Sequence, residues 1–324
     1  MVDAIIDWLL EEDEPSVRYL AMRDLLRRRG AELEEARRAI MASGRAPRIL
    51  ARQEPEGHWG RPEDFYIRSK YQGTVWNLIV LAELCADPQD ERVGRACEFV
   101  LRWSQDRSSG GFAYQGSGER GGRRSAVIPC LTGNMVFSLV RLGRLGDERV
   151  QQGLGWLTRY MRFSLEPMAG REWPYVHDRC WRDHTCRSGA VKALKALAEV
   201  PEGLRTAEMR RTIQEGAEFL LGMNIVGEGA GSLKVKRPDW LKLGFPLMWN
   251  TDVLEILDIL TSLGYQDERM HQALALLLSR RQADGRWPQE NRYQGRFLVP
   301  FERNGRPGKW VTLRALRVLE AMPR

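Results

Sequence analysis

Apolar residues recur at intervals of three and four along nearly the whole chain, and the strict alternation of a half-buried strand is almost absent. The spacing predicts an all-α protein. Residues 74–84 form a stripe that is apolar nearly all round, and a second, one-sided stripe begins at Asp90-Glu91-Arg92-Val93. The same pair returns at 132–142 followed by Asp147-Glu148-Arg149-Val150, and at 252–260 followed by Asp267-Glu268-Arg269-Met270. The Asp-Glu-Arg marks are separated by 57 and 120 residues, which a unit of roughly 60 residues fits if one weaker copy lies between them. That copy is read at 188–200 and 207–221, and a last apolar helix is expected at 311–322. Two N-terminal helices are expected at 2–10 and 16–29, with Pro15 at a helix start.

Each unit therefore reads as helix, turn, helix and a loop containing Gly and an aromatic residue. The first helix of each pair suits an inner layer, and the second, charged on one face, suits an outer one. The Asp that precedes each second helix is expected to be its N-cap. Repeated hairpins either open into a solenoid or close into a ring. Closure over residues 46–324, preceded by a helical segment at 1–45, is the expected domain plan.

Composition narrows the class without naming a function. The 324 residues include only 5 Cys, too few for a disulfide framework, and no apolar run approaches the roughly 20 residues of a membrane span. The first apolar stretch is followed at once by Glu11, Glu12, Asp13 and Glu14, the wrong flank for a secretory signal. A soluble, cytoplasmic protein is expected. The net charge of +7 is mild; Lys contributes only seven of the 50 basic residues and Arg the rest. With no nucleic-acid-binding motif and no long basic run, nucleic acid is not an expected partner.

Three loops carry a more specific signal. Gln53-Glu54-Pro55-Glu56-Gly57-His58-Trp59 and Gln282-Ala283-Asp284-Gly285-Arg286-Trp287 resemble the Gln…Gly-x-Trp repeats of the squalene cyclase and protein prenyltransferase superfamily. Gln105 with Gly110-Gly111-Phe112 resembles the variant found in prenyltransferase β subunits. The resemblance implies an α/α toroid around a central cavity that takes an apolar substrate, an isoprenoid among the candidates. It also implies that the loop aromatics pack between hairpins. Prenyltransferases work with a helical partner subunit, so a protein partner is left open.

The acidic Asp-x-Asp-Asp motif of squalene cyclases is missing, as is the Asp-Asp-x-x-Asp motif of magnesium-dependent terpene synthases. Asp252, at the start of an inner helix, is the solitary candidate acid, with N-capping as the plainer role. A carbohydrate-active barrel would need two facing carboxylates, and no pair stands out. Phe65, Tyr66, Tyr71, Trp76, Trp173, Tyr175, Trp181, Trp240, Phe245, Trp249 and Trp310 lie in loops leading into inner helices or at their starts, where they either line a cavity or fill the core.

The cysteines divide. Cys85 and Cys97 lie within helical stripes and read as small core residues. Cys130-Leu131-Thr132-Gly133 and Cys186-Arg187-Ser188-Gly189 place thiols at equivalent starts of neighbouring inner helices. With Cys180 and His184 they make a donor set suited to tetrahedral zinc, or to an iron–sulfur cluster, both being thiolate-bound. Thiols without a metal, redox-active or simply packed, are the other readings. The prenyltransferase resemblance adds Asp178-Arg179-Cys180 and His184-Thr185-Cys186, similar to that family's Asp-x-Cys and His-Thr-Cys zinc segments but only a few residues apart. It makes Asp178 a ligand or an acceptor that orients the imidazole. Catalytic toroid and non-catalytic binding protein with a structural zinc are both open at this point.

Overall fold

The computed structural model describes residues 2–66, 71–164, 166, 172–176, 186–223, 238–290 and 297–322. In chain order its helices are α1 (Val2–Leu9), α2 (Pro15–Leu20), α3 (Ala31–Ala42), α4 (Arg45–Leu50), α5 (Thr74–Glu83), α6 (Glu91–Trp103), α7 (Pro129–Leu139), α8 (Glu148–Tyr160), α9 (Arg187–Glu199), α10 (Ala207–Gly222), α11 (Val253–Ser262), α12 (His271–Ser279) and α13 (Lys309–Ala321). Extended pairing among the described residues is confined to isolated bridges and one two-residue ladder, Gly116–Ser117 against Gly121–Gly122. The chain is all-α, as its spacing predicts.

The helices belong to two compact units. One comprises Met1–Ala51, Leu84–Asp87 and Leu221–Arg324; the other comprises Arg52–Glu83 and Pro88–Leu220. In the second unit α5 packs on α7, α7 packs on α9, and α6 and α8 cover α5 and α7. Every residue of α5 and of α7 is buried, whereas α6 buries only the face carrying Val93, Ala96, Cys97, Phe99, Val100 and Leu101. The inner and outer characters read from the sequence are therefore real. In the first unit α11 packs on α13, and α12 covers α11.

Two devices are built the same way in successive repeats. The Asp of each Asp-Glu-Arg mark caps the turn that follows: Asp90, Asp147 and Asp267 accept the backbone N–H of Arg92, Arg149 and Arg269 at 2.8, 2.9 and 2.9 Å. The same Arg folds its guanidinium back onto that carboxylate, through two bonds in each copy. This satisfies two needs of a helix start, an acceptor for an orphan N–H and a negative charge at the positive end of the dipole. At Asp267 the capped turn is a 3-10 turn, Glu268–Met270, that leads into α12.

The second device ties each loop to an inner helix. The backbone N–H of Trp59, Phe112 and Trp287 donates to the hydroxyl of Thr74, Thr132 and Thr312, at 3.2, 2.9 and 3.0 Å. All three aromatic side chains are buried. Gln53 Nε2 donates to the carbonyls of Gly57 and Arg92, and Gln105 Nε2 to those of Gly110 and Arg149, so each amide joins its loop to the next outer helix. Glycine is required within those loops. Gly57 and Gly110 have φ of +93° and +82°, and a methyl group there would lie 2.4 and 2.6 Å from the carbonyl oxygens of Arg95 and Gln152.

The third loop departs from the sequence reading. Gln282 is exposed, and it is the Arg281 guanidinium that donates to the Gly285 carbonyl, at 3.1 Å. Gln53 and Gln105 stand four and five residues before the glycine carbonyls they hold, whereas Gln282 stands three before Gly285, and Arg281, four before it, makes the tie instead. An Arg fork replaces the amide and also lies over the Trp287 ring, 5.3 Å from its centroid.

Because the Phe112 N–H is buried with the Thr132 hydroxyl, Thr132→Val should cost about 1–3 kcal/mol, the penalty of an unpaired buried donor. Thr132→Ser should retain most of that stability. Urea unfolding midpoints with unchanged slopes would register it; a midpoint unmoved by Thr132→Val would show that this bond does not hold the loop.

Candidate functional site

The closest helix approach that bears on the candidate chemistry is between α7 and α9. A methyl group at Gly133 would lie 2.5 Å from the Lys192 carbonyl carbon, and one at Gly189 would lie 2.7 Å from Pro129 Cβ. Residue 129 is thus level with 189, and 133 with 192, so the two helices run side by side in the same direction. Their N-termini meet at one end. Cys130 lies in the first turn of α7, one residue inside the helix, because Ile128 takes the N-cap position and Pro129, with its fixed φ and missing N–H, opens the helix. Cys186 is the N-cap residue of α9, and its sulfur is 3.4 Å from where a Gly189 methyl would stand.

The two thiols are close enough to feel each other's charge. Burial, with a smaller contribution from Cys186, pushes the Cys130 thiol up to about 12, while the Lys192 ammonium and backbone N–H bonds act to lower it. At a helix N-terminus alone a thiolate would be favoured; here desolvation wins. A buried thiol that resists ionisation in isolation becomes a thiolate when a cation replaces its proton. Two soft donors meeting at two helix N-termini suit zinc or an iron–sulfur cluster by donor type. Asp178, Cys180 and His184, the other residues of the predicted site, lie outside the described residues. Among the described residues no group of three or more His, Cys, Asp or Glu side chains is placed to hold a metal ion.

Lys192 escaped the sequence reading. It is 1% exposed, a charged residue in the otherwise apolar run Val191-Lys192-Ala193-Leu194. That interruption, three residues after Gly189, was the available signal. The remaining cysteines do not join the site. Cys97 is buried in α6 with its thiol raised to about 11 by burial, and Cys85 follows the end of α5, with φ of +56°.

Asp252 belongs to the other unit and is the N-cap of α11. Its Oδ1 accepts the Glu255 N–H at 2.7 Å and its Oδ2 accepts the Gly244 N–H at 2.8 Å. The second bond ties the 243–247 loop to an inner helix, as the Thr hydroxyls do elsewhere. Burial raises its carboxyl to about 7, against the lowering effect of those two bonds; the nearby Glu255 charge raises it and Arg314 lowers it. Beside it Phe245 stacks on Trp310 with ring centroids 4.0 Å apart, and the Arg314 guanidinium lies 5.1 Å from the Phe245 centroid. Of the aromatics read as cavity wall or core, Phe65, Tyr71, Trp76, Tyr175, Trp240, Phe245 and Trp310 are buried, Tyr66, Trp173 and Trp249 are partly exposed, and Trp181 lies outside the described residues.

No protein-family model matches the chain, and no curated protein matches it. Among solved structures it is similar to a protein from Actinoplanes, at 16% identity and a TM-score of 0.47, over 99% of this chain and 98% of that one. It is also similar to a variant type II terpene cyclase from Scytonema, solved in complex with geranylgeranyl dihydroxybenzoate. There the identity is 16% and the TM-score 0.43, over 96% of this chain and 87% of that one. Likenesses this distant carry no functional argument. No helix among the described residues is long and apolar enough to cross a membrane.

The Asp252 carboxyl gives a signed pH dependence. Its folded value, about 7, lies above the ordinary 3.8, so the native state holds the proton more tightly than the unfolded chain does. The stability this contributes is full below about pH 4 and is lost as pH rises through about 7. The stability gap between wild type and Asp252→Asn should therefore narrow over that window. Denaturant midpoints measured from pH 4 to 8 test it, and a gap independent of pH would contradict the assigned environment.

Proposed function

We propose that the chain is a terpenoid cyclase/prenyltransferase-like helical-repeat protein that binds an apolar ligand, an isoprenoid among the candidates, beside a thiolate-bound metal. The ring closure and central cavity implied by the sequence resemblance are part of this proposal. One observation supports it: α7 and α9 pack side by side in the same direction, with Cys130 in the first turn of one and Cys186 at the N-cap of the other. The loop ties made by Gln53 and Gln105 support the resemblance, because they give the Gln…Gly-aromatic pattern a physical role in two of the three loops, while Arg281 makes the tie in the third.

Cys130, Cys180, His184 and Cys186 would hold the metal, with Asp178 orienting the imidazole. Zinc suits three thiolates and an imidazole; bound there, it would act as a Lewis acid or activate a thiol or water if one protein ligand were displaced. With all four ligands in place it would serve as a structural staple. Asp252 is the candidate acid of this reading. Its raised carboxyl pKa supports a proton held at neutral pH, and the two backbone N–H groups on its oxygens weigh toward the capping role.

Elemental analysis of protein purified anaerobically should find about one zinc per chain. Cys130→Ser should lower that content, and an added thiol or cyanide should coordinate the metal if the site is open. Protein without metal would overturn the metal reading, and unchanged stoichiometry in Cys130→Ser would remove Cys130 from the ligand set.

A further inference from the structure

The turn between α1 and α2 lies over the start of α13, and charge holds it there. Lys309, the first residue of α13, is 5% exposed. Its ammonium pairs with Glu11 at 2.7 Å and with Asp13, and it lies 5.5 Å from the centre of the Trp8 ring of α1. One residue further along the turn, the buried Glu14 pairs with the Arg45 guanidinium at the start of α4, whose Nε donates to the Pro300 carbonyl at 2.9 Å. Glu302 meets the same two cations. Its Oε1 accepts the backbone N–H groups of Lys309 and Trp310, and its Oε2 sits against Gly308, where a methyl group would be 2.7 Å away. That Oε2 is buried and has no hydrogen-bond partner among the described residues, and neither has Oε1 of Glu14. Two cations, Arg45 and Lys309, therefore serve four carboxylates, Glu11, Asp13, Glu14 and Glu302. Of the neighbouring charges, Glu12 pairs with Arg18, Arg48 and Arg303 are exposed, and Arg286 lies over the Trp8 ring.

We propose that the α1–α2 turn, residues 11–14, is a pH-sensitive strap across the start of α13, fastened while Glu302 is protonated and loosened when Glu302 ionises. A neutral Glu302 leaves Arg45 and Lys309 to the three carboxylates of the strap. An ionised one competes for both cations and repels the strap's own carboxylates. Burial raises the Glu302 carboxyl from 4.5 to about 7, while the two N–H groups and the Arg45 and Lys309 charges act to lower it. The fastened state thus holds the proton more tightly than an open one, in which Glu302 meets water and both cations. Fastening is complete toward about pH 5 and is lost as pH rises through about 7. Loosening uncovers Lys309 at the start of an inner helix. No metal and no ligand enters this reading.

The test is amide hydrogen exchange of the full-length protein, read by mass spectrometry over residues 9–18 and corrected for the intrinsic rate at each pH. In wild type, protection of this segment should fall about tenfold between pH 5.5 and 8, with protection in α5 and α7 unchanged. Glu302→Gln, which keeps an acceptor for both N–H groups but cannot ionise, should hold the protection constant across that range. Glu11→Gln combined with Asp13→Asn changes two exposed side chains and leaves the core alone; it should lower protection of the segment already at pH 5.5. Protection independent of pH in wild type would overturn the proposal, and so would a fall of equal size in Glu302→Gln. Wild-type protection in the Glu11→Gln/Asp13→Asn variant at pH 5.5 would overturn it as well, because packing and not charge would then hold the strap.

Discussion

The candidate chemistry depends on how closely two backbones can approach. At Gly133 and Gly189 the contact between α7 and α9 leaves no room for even a methyl group. With side chains there, ridges would hold the helices at the ordinary spacing of 8–10 Å and set the thiols apart. Glycine destabilises a helix interior by roughly 0.5–1 kcal/mol relative to Ala, a cost this contact offsets by burying both helices against each other. The full burial of α7 follows, because α5, α8 and α9 enclose it.

The same architectural need is met by different chemistry in different repeats. A loop N–H must find an acceptor on an inner helix, and Thr74, Thr132 and Thr312 provide hydroxyls. In the 243–247 loop the acceptor is the carboxylate of Asp252, which also caps its helix. A carboxylate in a hydroxyl's place explains the raised pKa without a reaction, since desolvation disfavours the charged form. Glu302 shows a related case. Buried and raised to about 7, it accepts the N–H groups of Lys309 and Trp310 at the start of α13, where Gly308 has no side chain to cap. Both carboxyls are explained by helix starts that lack a local acceptor of another kind.

Much of the fold was legible because its signals are local. A repeated Asp-Glu-Arg before an amphipathic stripe states a cap and a helix start within a few residues; the structure builds α6 and α8 in this way, and at Asp267 the cap serves a 3-10 turn ahead of α12. The Gln-to-Gly spacing was nearly legible. At the third loop the eye follows the residue name, Gln282, while the geometry follows the distance to Gly285 and selects Arg281. The role of the Thr hydroxyls was less accessible, because it joins a loop to a helix through a backbone group that leaves no mark on composition. Recurrence of Thr at 74, 132 and 312 was the available clue. At the site, the equivalent Cys-x-(Ser/Thr)-Gly segments were read as starts of neighbouring helices, and α7 and α9 do pack on each other. That the glycines set the distance, and that Lys192 shares the interface, are tertiary facts that a single helix does not encode.

The most direct test of the account is whether the Cys130 and Cys186 thiols are within reach of one atom. A trivalent arsenical such as phenylarsine oxide condenses with two neighbouring thiols and needs no metal and no catalytic turnover. Mass spectrometry of the labelled, folded protein should find one arsenic bridging Cys130 and Cys186, and Gly133→Leu, which must push α9 away, should abolish the bridge. Arsenic absent from both residues in folded wild type, or a bridge that survives Gly133→Leu undiminished, would contradict the claim that the glycine contact brings these thiols together.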